Sequence, residues 1–158
     1  MRTTRLDDPI AEIAQFADQL GLRVAVAESL TSGLIASRLG AGKNAASWFC
    51  GCVVAYQESV KHDILGVREG PVITAECARV MASGVARLLG AQAAVATSGV
   101  GGPGDQEGKP PGTVYLAADV RGSVTERELS LDGDPEDIID AAADASLHLL
   151  ADALRAVS

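Results

Sequence analysis

Three short apolar runs constrain this chain more than any other feature. Arg23 to Ala27, Gly51 to Tyr56 and Ala93 to Thr97 are each five or six residues long and nearly free of charge. Runs of that length without apolar–polar alternation read as strands covered on both faces. The second is almost wholly apolar and is expected at the centre of its sheet. Segments of helical period separate the runs, and that alternation defines a fold class. The prediction is α/β: a single three-layer domain with a mixed, mostly parallel sheet flanked by helices.

The punctuation supports this reading. Asp8-Pro9 reads as a cap followed by proline at the first helical position, with Ile10, Ile13, Ala17 and Leu20 on one face until Gly21. The stretch E-S-L-T-S-G (28–33) is rich in capping residues and leads into a helix carrying Leu34, Ile35 and Leu39 that ends at Gly40. Thr74 can cap a helix whose residues Cys77, Val80, Met81, Val85, Leu88 and Leu89 keep a helical period to Gly90. Thr113 to Val120 and Val124 to Leu131 alternate around Arg121-Gly122-Ser123, which predicts a hairpin. Asp134-Pro135 opens a last helix with Ile138, Ile139, Ala142, Leu149, Leu150 and Leu154. No repeat or composition shift divides the chain, so residues 1–158 are expected to form one domain.

Charge and composition exclude several functions. A net charge of −8 with no basic stripe argues against nucleic acid. No apolar run approaches the roughly 20 residues of a membrane span. The N-terminus, M-R-T-T-R-L-D-D, has no hydrophobic segment behind its arginines and does not read as a secretory signal. Three cysteines do not make a disulfide framework, so a reducing cytoplasm is expected. Cys50 and Cys52 are predicted on one face of a strand and read as small buried residues rather than metal ligands. No metal and no cofactor are expected. Self-association is common among Ala- and Val-rich sheet proteins of this size.

Chemistry is expected at the strand ends. Glu28-Ser29 leads into Leu30-Thr31-Ser32-Gly33 at a helix start, where free N–H groups suit either an ordinary cap or a carboxylate or phosphate ligand. Thr97-Ser98-Gly99 opens a long glycine-rich loop, 99–112, which is either a crossover or a ligand-binding segment. Gly99, Gly101 and Gly104 match G-x-G-x-x-G, with Asp119 twenty residues on. A dinucleotide fingerprint must open a helix, however, and here Pro103, Pro110 and Pro111 intervene before a strand. Tyr56 and Lys61 stand five residues apart just past the second strand, and a lysine there can act as a base without histidine. His62 and His148 lack the separated serine and aspartate partners of a hydrolase triad.

Taken in order, the motifs A-E-S-L-T-S-G (27–33), S-W-F with V-A-Y-Q-E-S-V-K (47–61), G-V (66–67), T-S-G-V-G-G-P-G (97–104) and K-P-P-G-T-V (109–114) resemble the CinA C-terminal domain family, in its stand-alone form. The resemblance covers essentially the whole chain. It implies a metal-independent amidohydrolase of pyridine-nucleotide salvage, which converts nicotinamide mononucleotide to nicotinic acid mononucleotide and ammonia by a serine–lysine mechanism. Carried over by motif, Lys61 is the base, Tyr56 the neighbouring phenol and Ser98 the strand-end hydroxyl. Ser29, Thr31, Ser32 and Gly33 belong to the small-molecule pocket. Backbone N–H groups around Gly99, Gly101 and Gly102 suit an oxyanion or the substrate phosphate.

Two positions depart from the family pattern. The nucleophilic serine expected two residues before Trp48 is Ala46, which stays a pocket residue, so an active deamidase would use the adjacent Ser47, Ser29 or a Lys61-activated water. The arginine expected after Gly133-Asp134 is Pro135. These departures leave two alternatives beside an active deamidase. One is a relative that binds a pyridine nucleotide without turnover; the other acts on a different small amide.

Overall fold

The computed structural model describes residues 8–158. Most of the stretch read above as lacking a leader, residues 1–7, lies outside the described residues. In chain order the elements are α1 (Pro9–Leu20), β1 (Val24–Glu28), α2 (Leu34–Gly40), α3 (Ala45–Trp48), β2 (Phe49–Val54), α4 (Glu58–Asp63), α5 (Ala75–Leu89), β3 (Ala93–Gly99), β4 (Thr113–Val120), β5 (Ser123–Ser130) and α6 (Pro135–Val157).

One five-stranded sheet has the order β2-β1-β3-β4-β5. β1 pairs in parallel with β2 and β3, whereas β3–β4 and β4–β5 are antiparallel. Four strands therefore run the same way and β4 alone is reversed, so the sheet is mixed. β3 is buried along its whole length. The expectation that the second apolar run is central is overturned, because β2 lies at the edge and is only half-buried. An apolar run marks a strand but does not fix its place in the sheet: here it stands at a half-covered edge. β2 also begins two residues earlier than read, at Phe49. Its register slips against β1, Val24 pairing with Phe49 and Ala25 with Gly51, so Cys50 is the extra residue of a bulge. That bulge breaks the strict alternation that would have put Cys50 and Cys52 on one face.

Alternation along β1 and β3 divides the interior into two layers. Val24, Val26 and Val95 face a cluster with Ile13, Ile35, Leu39, Trp48, Leu147 and Leu150, contributed by α1, α2, α3 and α6. Ala25, Ala27, Ala94 and Ala96 face the other cluster, with Leu65, Val67, Met81 and Val85. The alanines let α5 approach closely. A Cβ at Gly84 would lie 2.3 Å from the Leu65 carbonyl oxygen, so that helix packs directly on backbone. Each fully buried aliphatic side chain in these layers contributes about 2 kcal/mol.

The helix ends behave as the sequence suggests. The Asp8 carboxylate accepts from the amides of Ile10 and Ala11, and Gly21 closes α1 in the left-handed region. Thr74 accepts from the Cys77 amide, with Gly90 closing α5. Asp134 and Asp137 form a reciprocal capping box that starts α6 behind Pro135.

Candidate active site at the strand ends

β1, β2 and β3 are parallel, so their C-terminal ends meet on one side of the sheet, where open α/β folds bind ligands. The Ala55 amide donates to the Glu28 carbonyl at 2.7 Å, carrying the β1–β2 pairing past the last strand residue. Thr97 locks the first motif to the third strand. Its hydroxyl accepts from the Ser29 amide at 3.4 Å and lies 3.1 Å from the Thr31 hydroxyl. Gly101 sits against Leu30, where an added Cβ would come within 3.6 Å of the Leu30 Cβ. The 28–33 turn and the glycine loop therefore form one surface. Among residues 29, 31, 47 and 98, the Ser29 hydroxyl alone has no protein hydrogen-bond partner among the described residues.

The α2 start is not an open anion site. Glu28 is fully buried, and its carboxylate accepts from the amides of Gly33 at 3.1 Å, Ile35 at 3.1 Å and Ala36 at 2.8 Å. The chain places its own negative charge where a ligand's would go. Of the two readings of 28–33, the capping one holds for these amides, although the cap is Glu28 and not a hydroxyl. Ser32 turns the backbone at φ 52°, and its hydroxyl makes only long contacts of 3.5 Å to the Ser29 and Leu30 carbonyls. Gly33 follows at φ 102°. Cys52 also points at Glu28, its thiol 3.5 Å from the carboxylate. Burial first, and that carboxylate second, push the Cys52 thiol up to about 12.

Lys61, on α4, is 2% exposed. Its amine donates to the Ala55 carbonyl at 2.9 Å and the Tyr56 carbonyl at 3.4 Å. Burial lowers its pKa below the ordinary 10.5, while Cys77, Glu58 and Glu107 pull weakly the other way. Tyr56 meets Lys61 through this carbonyl; the residue itself is 69% exposed.

Ser98 is fully buried and donates to the Val72 carbonyl at 2.5 Å. It belongs to a group of side chains that satisfies the buried dipeptide Val72-Ile73. Glu107 accepts from the amides of Val72 at 2.8 Å and Ile73 at 2.9 Å, and the Lys109 amine reaches the Ile73 carbonyl. Lys109 also lies 5.0 Å over the Tyr115 ring. The glycine loop is thereby tied to the entrance of α5. Its base is closed by Val100 N to Thr113 O at 2.9 Å and Gly112 N to Val100 O at 2.8 Å. The amides of Gly101 and Gly102 donate to no protein acceptor among the described residues. Cys77 lies beside Ser98, and burial raises its pKa.

Ala46 is exposed on α3. Ser47 donates to the Asn44 carbonyl at 2.8 Å and lines a cavity of about 470 Å³ between α1 and α3. No hydrogen bond joins it to Lys61. Pro135 packs at the glycine loop, its ring 3.7 Å from where a Gly102 Cβ would stand. The arginine missing there would have adjoined that loop. Sequence reasoning missed Glu28 as a cap, Glu107 as a clasp and Cys77 as a neighbour of Lys61. A carboxylate after four apolar strand residues was the one signal for Glu28; the contacts of the other two span more than ten residues and leave no local pattern. Among the described residues no group of three His, Cys, Asp or Glu side chains could hold a metal ion, and no helix is long and apolar enough to cross a membrane.

Fold and site define an α/β domain with a mixed five-stranded sheet and a buried lysine just past the end of a parallel strand. The model of the CinA C-terminal domain matches residues 7–154, and the chain belongs to that family. A CinA-like protein of Mycolicibacterium vanbaalenii is 36% identical over 157 residues, covering 94% of this chain and 36% of that protein. Another, from Frankia casuarinae, is 43% identical over 122 residues, covering 73% and 28%. This chain spans about a third of the length of the curated relatives it matches. Among solved structures, the competence damage-inducible protein A of Klebsiella pneumoniae superposes with a TM-score of 0.89 at 32% identity, covering 94% of this chain and 96% of that one.

Proposed function

We propose that the strand-end site hydrolyses the carboxamide of nicotinamide mononucleotide, releasing nicotinic acid mononucleotide and ammonia. The burial of Lys61 carries this reading. Two carbonyls accept two of its hydrogens, so the third position on nitrogen is left for a lone pair once the amine is neutral. Burial favours that neutral form, and a neutral amine can take a proton from an attacking O–H group.

In the proposed reaction the attacking oxygen is water. Ala46 has no hydroxyl, and those of Ser47 and Ser98 are committed to backbone carbonyls. The uncommitted Ser29 hydroxyl is assigned the task of holding the water. Lys61 takes the water proton as oxygen bonds to the carboxamide carbon. The amides of Gly101 and Gly102 are assigned to the resulting oxyanion. Collapse breaks the C–N bond, and Lys61 returns the proton to the departing nitrogen, which leaves as ammonia.

Ala46 and Pro135 favour a second reading, in which the pocket binds a pyridine nucleotide without turning it over or serves another small amide. Ammonia release from nicotinamide mononucleotide, measured for the parent chain and for Lys61→Met, separates the two. Turnover in the parent that Lys61→Met abolishes supports the amidase. Binding without turnover in either protein supports the second reading.

A further inference from the structure

A cavity of about 480 Å³ lies between the loop after α4 and the first turns of α5. Its volume falls in the range of small-molecule sites. Val67, Pro71 and Val80 give it an apolar lining, and Cys77 forms part of its wall. Arg68 and Glu76 also line it, and Nη2 of the arginine donates to both carboxylate oxygens, at 2.5 and 2.8 Å.

Two wall residues of this cavity, Val67 and Cys77, adjoin Lys61, whose own side chain does not line it. The Val67 amide donates to the Lys61 carbonyl at 3.0 Å, and the Val67 carbonyl is held by Nδ1 of His62 at 2.8 Å. Cys77, on the α5 side, adjoins Ser98 and Lys61. The cavity beside Ser47 is bounded by α1 and α3 and packs on the other layer of the interior.

We propose that the 480 Å³ cavity receives the phosphate end of the molecule that Lys61 serves, and that Arg68 is the residue that recognises it. The inference rests on the nucleotide reading of the site given above. Lys61 is buried beneath two carbonyls and Lys109 is held by the Ile73 carbonyl and the Tyr115 ring, and neither lines the cavity. Arg68 faces open space. Its side chain is 80% exposed, so its pair with Glu76 is solvent-screened and weak. A phosphate carries more charge than a carboxylate and accepts two parallel N–H bonds from a guanidinium. Arg68 therefore exchanges Glu76 for phosphate, and Glu76, 44% exposed, is left hydrated. A cation from the α4–α5 loop then supplies what Pro135 does not.

Calorimetric binding of nicotinamide mononucleotide, nicotinamide riboside and inorganic phosphate to the parent, Arg68→Ala and Glu76→Gln tests this. Arg68→Ala is expected to weaken mononucleotide binding about tenfold, the scale of one lost charge-assisted hydrogen bond, and to leave riboside binding unchanged. Glu76→Gln is expected to tighten mononucleotide binding, because the competing carboxylate is gone. Phosphate is expected to compete with the mononucleotide in the parent and not in Arg68→Ala. Equal mononucleotide affinity in parent and Arg68→Ala overturns the inference, as does equal loss of mononucleotide and riboside. Ammonia release that survives in Arg68→Ala with unchanged KM overturns it and leaves the amidase reading standing. Arg68-dependent discrimination between mononucleotide and riboside without turnover does the reverse. A chain that binds none of the three probes overturns the subsite outright.

Discussion

Ser98 Oγ and the Val72 carbonyl oxygen lie 2.5 Å apart, in a contact that commits the one proton of a fully buried hydroxyl. A group fixed in this way serves the Val72-Ile73 crossing before it serves a substrate. Ser98→Ala is expected to lower stability by about 1–3 kcal/mol, the cost of an unpaired buried carbonyl. Urea unfolding beside turnover measures the balance. Unchanged stability with collapsed turnover would return Ser98 to the reaction.

Lys61 makes both activity and stability depend on pH. Its folded pKa lies below its unfolded value, so below the folded value the folded state holds a disfavoured buried charge. From the lowered folded pKa up toward 10.5 the unfolded chain binds more protons, so this residue's contribution to stability improves as pH rises. The stability of the parent minus that of Lys61→Met should increase across this window. A flat difference means that the amine is not depressed. The kcat/KM of the amidase should rise as pH passes through the lowered folded pKa and then level off.

Ala46→Ser tests how much of the family's chemistry a single hydroxyl restores. The position is exposed on α3, so the substitution should not disturb folding. If the strand-end site catalyses the reaction, ammonia release should rise about a hundredfold or more, the scale on which covalent nucleophiles matter. No gain at that position would leave a Lys61-activated water as the more economical account.

Glu28 should be more sensitive than any other carboxylate in the described chain. Three amides converge on it. Glu28→Ala is expected to destabilise by about 3 kcal/mol or more, since it strips a buried helix start of its acceptor. Glu28→Gln keeps the shape and one acceptor oxygen, and should recover part of the loss. Thermal unfolding of the two variants gives the comparison; equal Tm values for Gln and Ala would argue that the charge and the acceptor count for nothing.

Gly112 tests the base of the glycine loop. A Cβ there would stand 1.9 Å from the Leu131 carbonyl oxygen, on a backbone with φ 95°. Gly112→Ala should therefore cost more than about 2 kcal/mol and loosen the loop, read as faster amide exchange at Val100 and Leu131. Gly104, with nothing within 4 Å of its Cβ position, should tolerate alanine better, with only its φ of 85° against it.

Helix boundaries were legible because they rest on local chemistry. Asp8-Pro9 to Gly21, Thr74 to Gly90 and the start at Asp134-Pro135 all stand where their caps put them. The position of β2 was not legible, because an apolar run can stand at a half-covered edge as well as at the centre of a sheet. The short helices α3 and α4 were also missed: four and six residues hold too little periodicity to read. At the site, Lys61 and the 28–33 and 97–102 segments were recognisable as motifs. The Glu107 clasp joins residues 34 and 35 positions apart, and the Ser98–Val72 bond joins residues 26 apart. Contacts of that range are set by how the layers close.

The carboxylate of Glu28 on the α2 amides has a further consequence for any search for ligands. A helix start already neutralised from within exerts little pull on a passing anion, so affinity for charged molecules must come from other groups, free loop amides or exposed side chains. Chemical libraries directed at this domain should accordingly be ranked by how they meet exposed guanidinium groups such as that of Arg68, and substitutions that reverse those charges should alter selectivity without altering the sheet.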